Sequence, residues 1–164
     1  GILMCLVLDG DDFAIGVDSL MTDRDVSIQI EDLQLLEPNG GVSLIEASMV
    51  TSSNPVDGGE NIGVVPWSTV PQYVSGNSPH VPGTTVFPLV KANRGAVPYL
   101  LLRIRPGKEG VSGYSGLRVT YNIAGISYTV DDDIKVSFRQ TCLSSPTAGA
   151  PSASLPRLAT PTAA

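Results

Sequence analysis

GLRVTYNIAGISYTVDDDIKVSF, residues Gly116 to Phe138, alternates apolar and polar side chains along most of its length. Leu117, Val119, Tyr121 and Ile123 share one parity, and Arg118, Thr120 and Asn122 share the other. That period of two is what a strand with one buried face requires. Ala124-Gly125 offers a tight turn, and Ile126, Tyr128 and Val130 supply the returning strand of a hairpin. Asp131 to Asp133 read as a polar turn, after which Ile134, Val136 and Phe138 make a last strand that ends at Cys142. The chain is therefore read as short strands joined by turns.

Working outward, the same pattern recurs. In Val97 to Arg105, Leu100, Leu102 and Ile104 face one way and Leu101, Arg103 and Arg105 the other; the loop PGKEGVSGYSG (Pro106 to Gly116) follows. Val26, Ile28 and Ile30 alternate with Ser27, Gln29 and Glu31; PNGG (Pro38 to Gly41) is a turn signal, and Val42 to Val50 read as the returning strand of a hairpin. DGDD (Asp9 to Asp12) makes a polar turn before a strand over Phe13 to Leu20. The apolar run Ile2 to Leu8 is far shorter than the roughly 20 residues a membrane span needs, and reads as a buried strand. From Thr51 to Pro88, Pro55, Pro66, Pro71, Pro79, Pro82 and Pro88 deny regular ladder bonding, leaving a long loop or short edge segments. No segment carries a sustained helical stripe with caps.

About seven to nine short strands at intervals of roughly 8 to 12 residues predict an all-β fold, an immunoglobulin-like antiparallel β-sandwich. Trp67 lies in the Pro-rich stretch and not at the core position of antibody domains, so the expectation covers the architecture and not that topology. The sandwich domain is expected over 1–142. The Pro, Ala, Ser and Thr tail, 143–164, buries too little apolar surface to offset its chain entropy and is expected to be extended or disordered.

Of 164 residues, 42% are hydrophobic and only 16% charged, with 17 Gly and 13 Pro, a balance that favours turns and strands over long helices. The net charge of -6 and ten scattered Lys and Arg argue against a nucleic-acid partner and against binding to anionic membranes. Cys5 and Cys142 sit near the two ends of the sandwich region. A bridge between them would restrict nearly the whole unfolded domain, worth about 3 to 5 kcal/mol on the chain-entropy account; the alternative is two buried thiols. Their end positions and the tail favour the disulfide. The first residue, Gly1, allows for a removed signal, a preceding anchor or a simple cut.

The stretch YLLLRIRPGKEGVSGYSGLRVTYNIAGISYTVDDDIKVSFRQTC, Tyr99 to Cys142, resembles the C-terminal half of small secreted or membrane-anchored actinobacterial β-sandwich proteins, in which a strand, a PG loop, a Gly-led strand and a hairpin end at a cysteine. The resemblance implies an extracellular sandwich, with Cys5 the early partner of Cys142, and adds no site residues.

No catalytic constellation is evident. His80 is the single histidine, in GNSPHVPG, and reads as an exposed loop residue; no Gly-x-Ser-x-Gly elbow accompanies it. One His and two distant Cys do not make a zinc or copper ligand set. DGGENIG (Asp57 to Gly63) lacks the Lys and the strand-to-helix setting of a phosphate loop. Asp9, Asp11 and Asp12, and Asp131, Asp132 and Asp133, are weak calcium candidates without a calcium-loop spacing. Trp67, Tyr73 and His80 lie on a Pro-stiffened stretch and either form a recognition surface or fold back on the sandwich. The expected function is a non-enzymatic extracellular structural or protein-interaction module, binding a protein partner or itself, with no cofactor. The alternatives are a ligand-binding or calcium-dependent adhesive domain and, last, a hydrolase.

Overall fold

The computed structural model describes residues 3–17, 26–51, 63–70, 79–82, 90–92, 98–108 and 110–142. Eleven strands follow in chain order: β1 (Leu3–Val7), β2 (Phe13–Val17), β3 (Val26–Leu36), β4 (Ser43–Thr51), β5 (Val64–Pro66), β6 (Val90–Ala92), β7 (Pro98–Arg105), β8 (Ser112–Tyr114), β9 (Gly116–Ile123), β10 (Ile126–Asp132) and β11 (Lys135–Arg139). Among the described residues one 3-10 turn, Trp67–Thr69, interrupts them. They form two four-stranded sheets, β10-β9-β3-β6 and β4-β7-β2-β5, and a three-stranded sheet, β1-β11-β8. The fold is all-β and sandwich-like, as the sequence predicts. The described strands outnumber the seven to nine expected because three short segments add to them: β5 inside the Pro-rich stretch, β6 just after Pro88, and β8, a strand within the stretch Pro106 to Gly116 that the sequence pattern reads as loop.

Ile28, Ile30, Leu33, Leu117, Val119 and Tyr121 of one four-stranded sheet share a core with Phe13, Ile15, Ala47, Met49, Leu100, Leu102 and Ile104 of the other. Val136, Phe138 and Tyr114 of the three-stranded sheet join the same core, and the rings of Phe13 and Phe138 lie 5.3 Å apart. The β9–β10 hairpin is as expected: Tyr121 pairs with Tyr128, and Ala124 (φ 52) and Gly125 (φ 85) make the two-residue turn that matches the strands' twist. Asn122 Oδ1 accepts from the Gly125 amide at 2.9 Å and locks it.

Three expectations need correction. First, PNGG does not turn a hairpin. β3 pairs with β9 and β6, and β4 pairs with β7, so the turn is an arch that carries the chain from one sheet to the other. Second, Leu3 to Leu8 is not buried: Leu3 is 72% and Val7 52% exposed, with Met4, Leu6 and Leu8 half-buried on the inner side. β1 is a terminal strand, and it runs parallel to β11, so the sandwich is not wholly antiparallel. Third, Asp131 and Asp132 belong to β10 rather than to a turn. Residues 143–164 and most of 52–89 lie outside the described residues.

The arch is held by backbone contact. Asn39 exchanges hydrogen bonds with Gly113 (2.9 and 3.2 Å), and the Gly107 amide donates to Ser112 Oγ at 2.9 Å. A Cβ at Gly107 would overlap the Gly40 carbonyl, a rigid neighbour that cannot rotate aside. Gly107→Ala is therefore expected to cost about 3 kcal/mol through overpacking. Gly125→Ala, in open space at a turn with positive φ, should cost about 1 kcal/mol. Urea unfolding of both variants checks this; equal losses would mean that the arch tolerates separation from the 106–110 loop.

Candidate interaction surface

Asp12 and Trp67 meet on the outer side of the sheet β4-β7-β2-β5. Because β7 alternates, Leu101 points away from the main core and packs with Ala14 and Val50 in a second small cluster, against which Val65, Trp67 and Val70 rest. The next residues on that face are Arg103 and Arg105. Arg105 grips the Asp12 carboxylate with Nε and Nη2 (2.9 and 3.0 Å), Arg103 Nε reaches it at 2.6 Å, and the Arg103 guanidinium lies 5.0 Å from the centre of the Trp67 ring. Glu46 Oε1 stands 3.7 Å from Arg103 Nη1. The Trp67 amide donates to the Asp12 carbonyl (2.7 Å) and the Ser68 amide to Asp11 Oδ2 (3.1 Å), which tie the β1–β2 turn to the 3-10 turn. Trp67 thus lies folded on its own sheet as a packed cover.

His80 is buried, at 5% exposure, and not the exposed loop residue expected. Its backbone exchanges hydrogen bonds with Ala47 (2.9 and 2.7 Å), so it continues the ladder beside β4 and lies inside rather than out. Tyr73 lies outside the described residues. The structure does not bring Trp67 and His80 together in any described contact.

In both acidic stretches the aspartates are engaged by protein partners. Asp9 Oδ1 accepts from the Asp11 amide (3.0 Å) and Asp11 Oδ1 from the Asp12 amide (2.9 Å). Asp131 receives two 2.7 Å hydrogen bonds from Arg118, its cross-strand partner, and Asp132 Oδ1 caps the Ile134 amide at 3.2 Å. Asp133 stands exposed beside them. Among the described residues no group of three or more His, Cys, Asp or Glu side chains is placed to hold a metal ion. Burial raises the Asp132 carboxyl, whereas the hydrogen bonds from Arg118 hold Asp131 below the ordinary value.

Cys5 and Cys142 form the expected disulfide, with Cα atoms 5.9 Å apart across a sequence separation of 137. Beside it the outer face of the three-stranded sheet presents what the sequence reading missed. Leu3, Cys5 and Val7 point outward on β1, in register with Lys135, Ser137 and Arg139 on β11. A shallow trough of about 310 Å³ crosses this face over Gly113, lined also by Leu3, Glu37, Val111, Lys135 and Arg139. Val111 is 52% exposed, so the face combines apolar side chains with charges of both signs, Lys135 and Arg139 beside Glu37. The run Leu3 to Leu8 is apolar on both parities, so the side of β1 turned away from the core is apolar too.

The chain matches no protein-family model, no curated protein and no solved structure. Among the described residues no helix is long and apolar enough to cross a membrane.

Burial pushes the Asp12 carboxyl up, but hydrogen bonds from Arg105 and Arg103 outweigh it, so its pKa sits below the ordinary value of 3.8. A carboxylate depressed in the folded state contributes stability at neutral pH that is lost as pH falls through 3.8 and toward its own lower pKa. Asp12→Asn should cost about 2 kcal/mol at neutral pH and should flatten the loss of stability on acidification. Urea titrations over a pH series test this; an unchanged acid slope would remove Asp12 from the acid response.

Proposed function

We propose that the protein is a non-enzymatic extracellular protein-interaction module, a subunit of a surface assembly, working through the outer face of its three-stranded sheet; the Tyr99–Cys142 resemblance supports the extracellular setting. The observation that carries this reading is the exposure of Leu3 and Val111 at one trough that Glu37, Lys135 and Arg139 also line, with Val7 exposed farther along β1. Scattered exposed apolar residues need no explanation, but apolar residues gathered on one face rimmed by charges are the composition of a contact surface. The Cys5–Cys142 bridge supports an oxidising compartment, because such bonds persist outside the reducing cytosol.

The face is also built to keep its shape. Gly113 forms the floor because a Cβ there would overlap the Val136 carbonyl, and Arg139 Nε donates to Ser137 Oγ at 2.9 Å. A surface held in this way loses little conformational freedom on binding.

A photoreactive amino acid at position 111, in cells that produce and export the chain, should yield crosslinked species heavier than the chain alone. The same group at Ile126, exposed at the β9–β10 turn away from the trough, should not. Absence of adducts at position 111, or equal yields at both positions, would overturn the reading.

A further inference from the structure

The free edge of β1 differs from every other sheet end described. β5 and β6 are three residues long, and β5 ends in Pro66. β4 has a register shift between Leu44 and Glu46 and is met by His80 at Ala47. β8 is bridged by Asn39, and β10 carries Asp131 and Asp132. Short length, proline, charge, a bulge or a covering segment are the devices by which sheets avoid pairing with other chains. β1, LMCLV, has five residues, no charge and no proline, and among the described residues no strand pairs with its outer edge.

The backbone geometry defines what that edge accepts. The Leu8 amide donates to the Arg139 carbonyl (2.8 Å), so Leu8 turns its backbone groups toward β11. In an extended strand alternate residues turn theirs to the same side; Leu6 and Met4 therefore also face β11, and Leu3, Cys5 and Val7 direct their N–H and C=O groups to the open edge. These are the residues whose side chains carry the exposed apolar surface on the outer face.

We propose that the open edge of β1 is the pairing site for β1 of a second copy, antiparallel about a two-fold axis at Cys5, joining two three-stranded sheets into one continuous sheet. This deepens the interaction reading above and rests on it. The symmetry supports a second copy over another partner. Centring the pair on Cys5 sets Leu3 opposite Val7 twice, so each exposed side chain covers its counterpart, as a self-complementary two-fold contact requires. The same register makes Leu3–Val7, Cys5–Cys5 and Val7–Leu3 all hydrogen-bonded pairs, each exchanging both N–H to O bonds, because those are the residues whose groups face outward. A shift of one residue would set outward groups against inward ones.

Sedimentation velocity of the intact chain over a wide concentration range tests the pairing. The expected result is a concentration-dependent rise from 17.1 kDa to twice that mass. Added salt should strengthen it, since it screens repulsion between two bodies of charge -6. Leu3→Lys with Val7→Lys places like charges opposite each other and should weaken the dimer at least about tenfold. Leu3→Lys with Val7→Glu places opposite charges across the same register and should restore it, in a form that salt weakens. Both variants lie on exposed positions, and retained thermal unfolding shows that they fold. A monomer at every concentration, or a dimer indifferent to the Lys pair, overturns the proposal. A monomer that still crosslinks through position 111 to another protein overturns only the pairing; a monomer without such adducts overturns the interaction reading too.

Discussion

A strand shows its side chains to opposite faces with a period of two, and the packing of this protein depends on where that period is broken. In β3 the inward residues are Ile28 and Ile30 before the shift at Glu31 and Leu33 and Leu35 after it. In β4 they are Val42, just ahead of the strand, and Leu44 before the shift at Ile45, and Ala47 and Met49 after it. Without the extra residue, a one-residue slip would turn each second pair to water. The bulges keep both long strands on the core while bending them, which suits two consecutive strands that separate into different sheets across the Pro38–Gly41 arch. Glu31, the unpaired residue in β3, is not left loose: Asn122 and Ser127 donate to its two carboxylate oxygens at 3.2 and 2.8 Å.

β7 supplies the complementary constraint. It lies between β4 and β2, and one side is filled by Leu100, Leu102 and Ile104 in the main core. Its other side cannot be wholly polar, because Leu101 needs cover, or wholly apolar, because Arg103 and Arg105 share it. Trp67 meets both demands, resting on Leu101 while its ring faces the Arg103 guanidinium. Asp12, nearly buried, then satisfies both arginines, so a carboxylate that would be costly alone becomes the joint between the β1–β2 turn and the sheet.

The legible part of the sequence was the part governed by local periodicity. The β9–β10 hairpin and the start of β3 could be read because one face is core and the other solvent, and β7 because Arg103 and Arg105 alternate with core Leu102 and Ile104. The pairing partners of β3 and β4 could not. PNGG permits positive φ at Gly40 and Gly41, but that freedom serves an arch as well as a hairpin, and the choice is made by contacts with Gly107 and Gly113 far along the chain. His80 was misread for a related reason: a polar loop context carries no signal of a backbone bridge to Ala47. Trp67 was visible as a large aromatic, yet its role turns on Arg103 and Leu101, which only the fold brings beneath it. The trough was hidden because it belongs to three strands, β1, β8 and β11, distant in sequence.

The three-stranded sheet also explains why the bridge lies where it does. Among the described residues β1 has one sheet neighbour, β11, and the pairing closes a loop nearly as long as the domain. Closing so long a loop by hydrogen bonds alone asks a five-residue strand to offset a large entropy cost. Cys5 lies at the middle of that strand, and its bond to Cys142, three residues beyond β11, lowers that cost by restricting the unfolded chain. A strand anchored covalently at its centre need not be shielded on its other edge to remain in place. That leaves Leu3, Cys5 and Val7 free to keep outward backbone groups and uncharged side chains, the combination that the guarded edges elsewhere in the protein avoid.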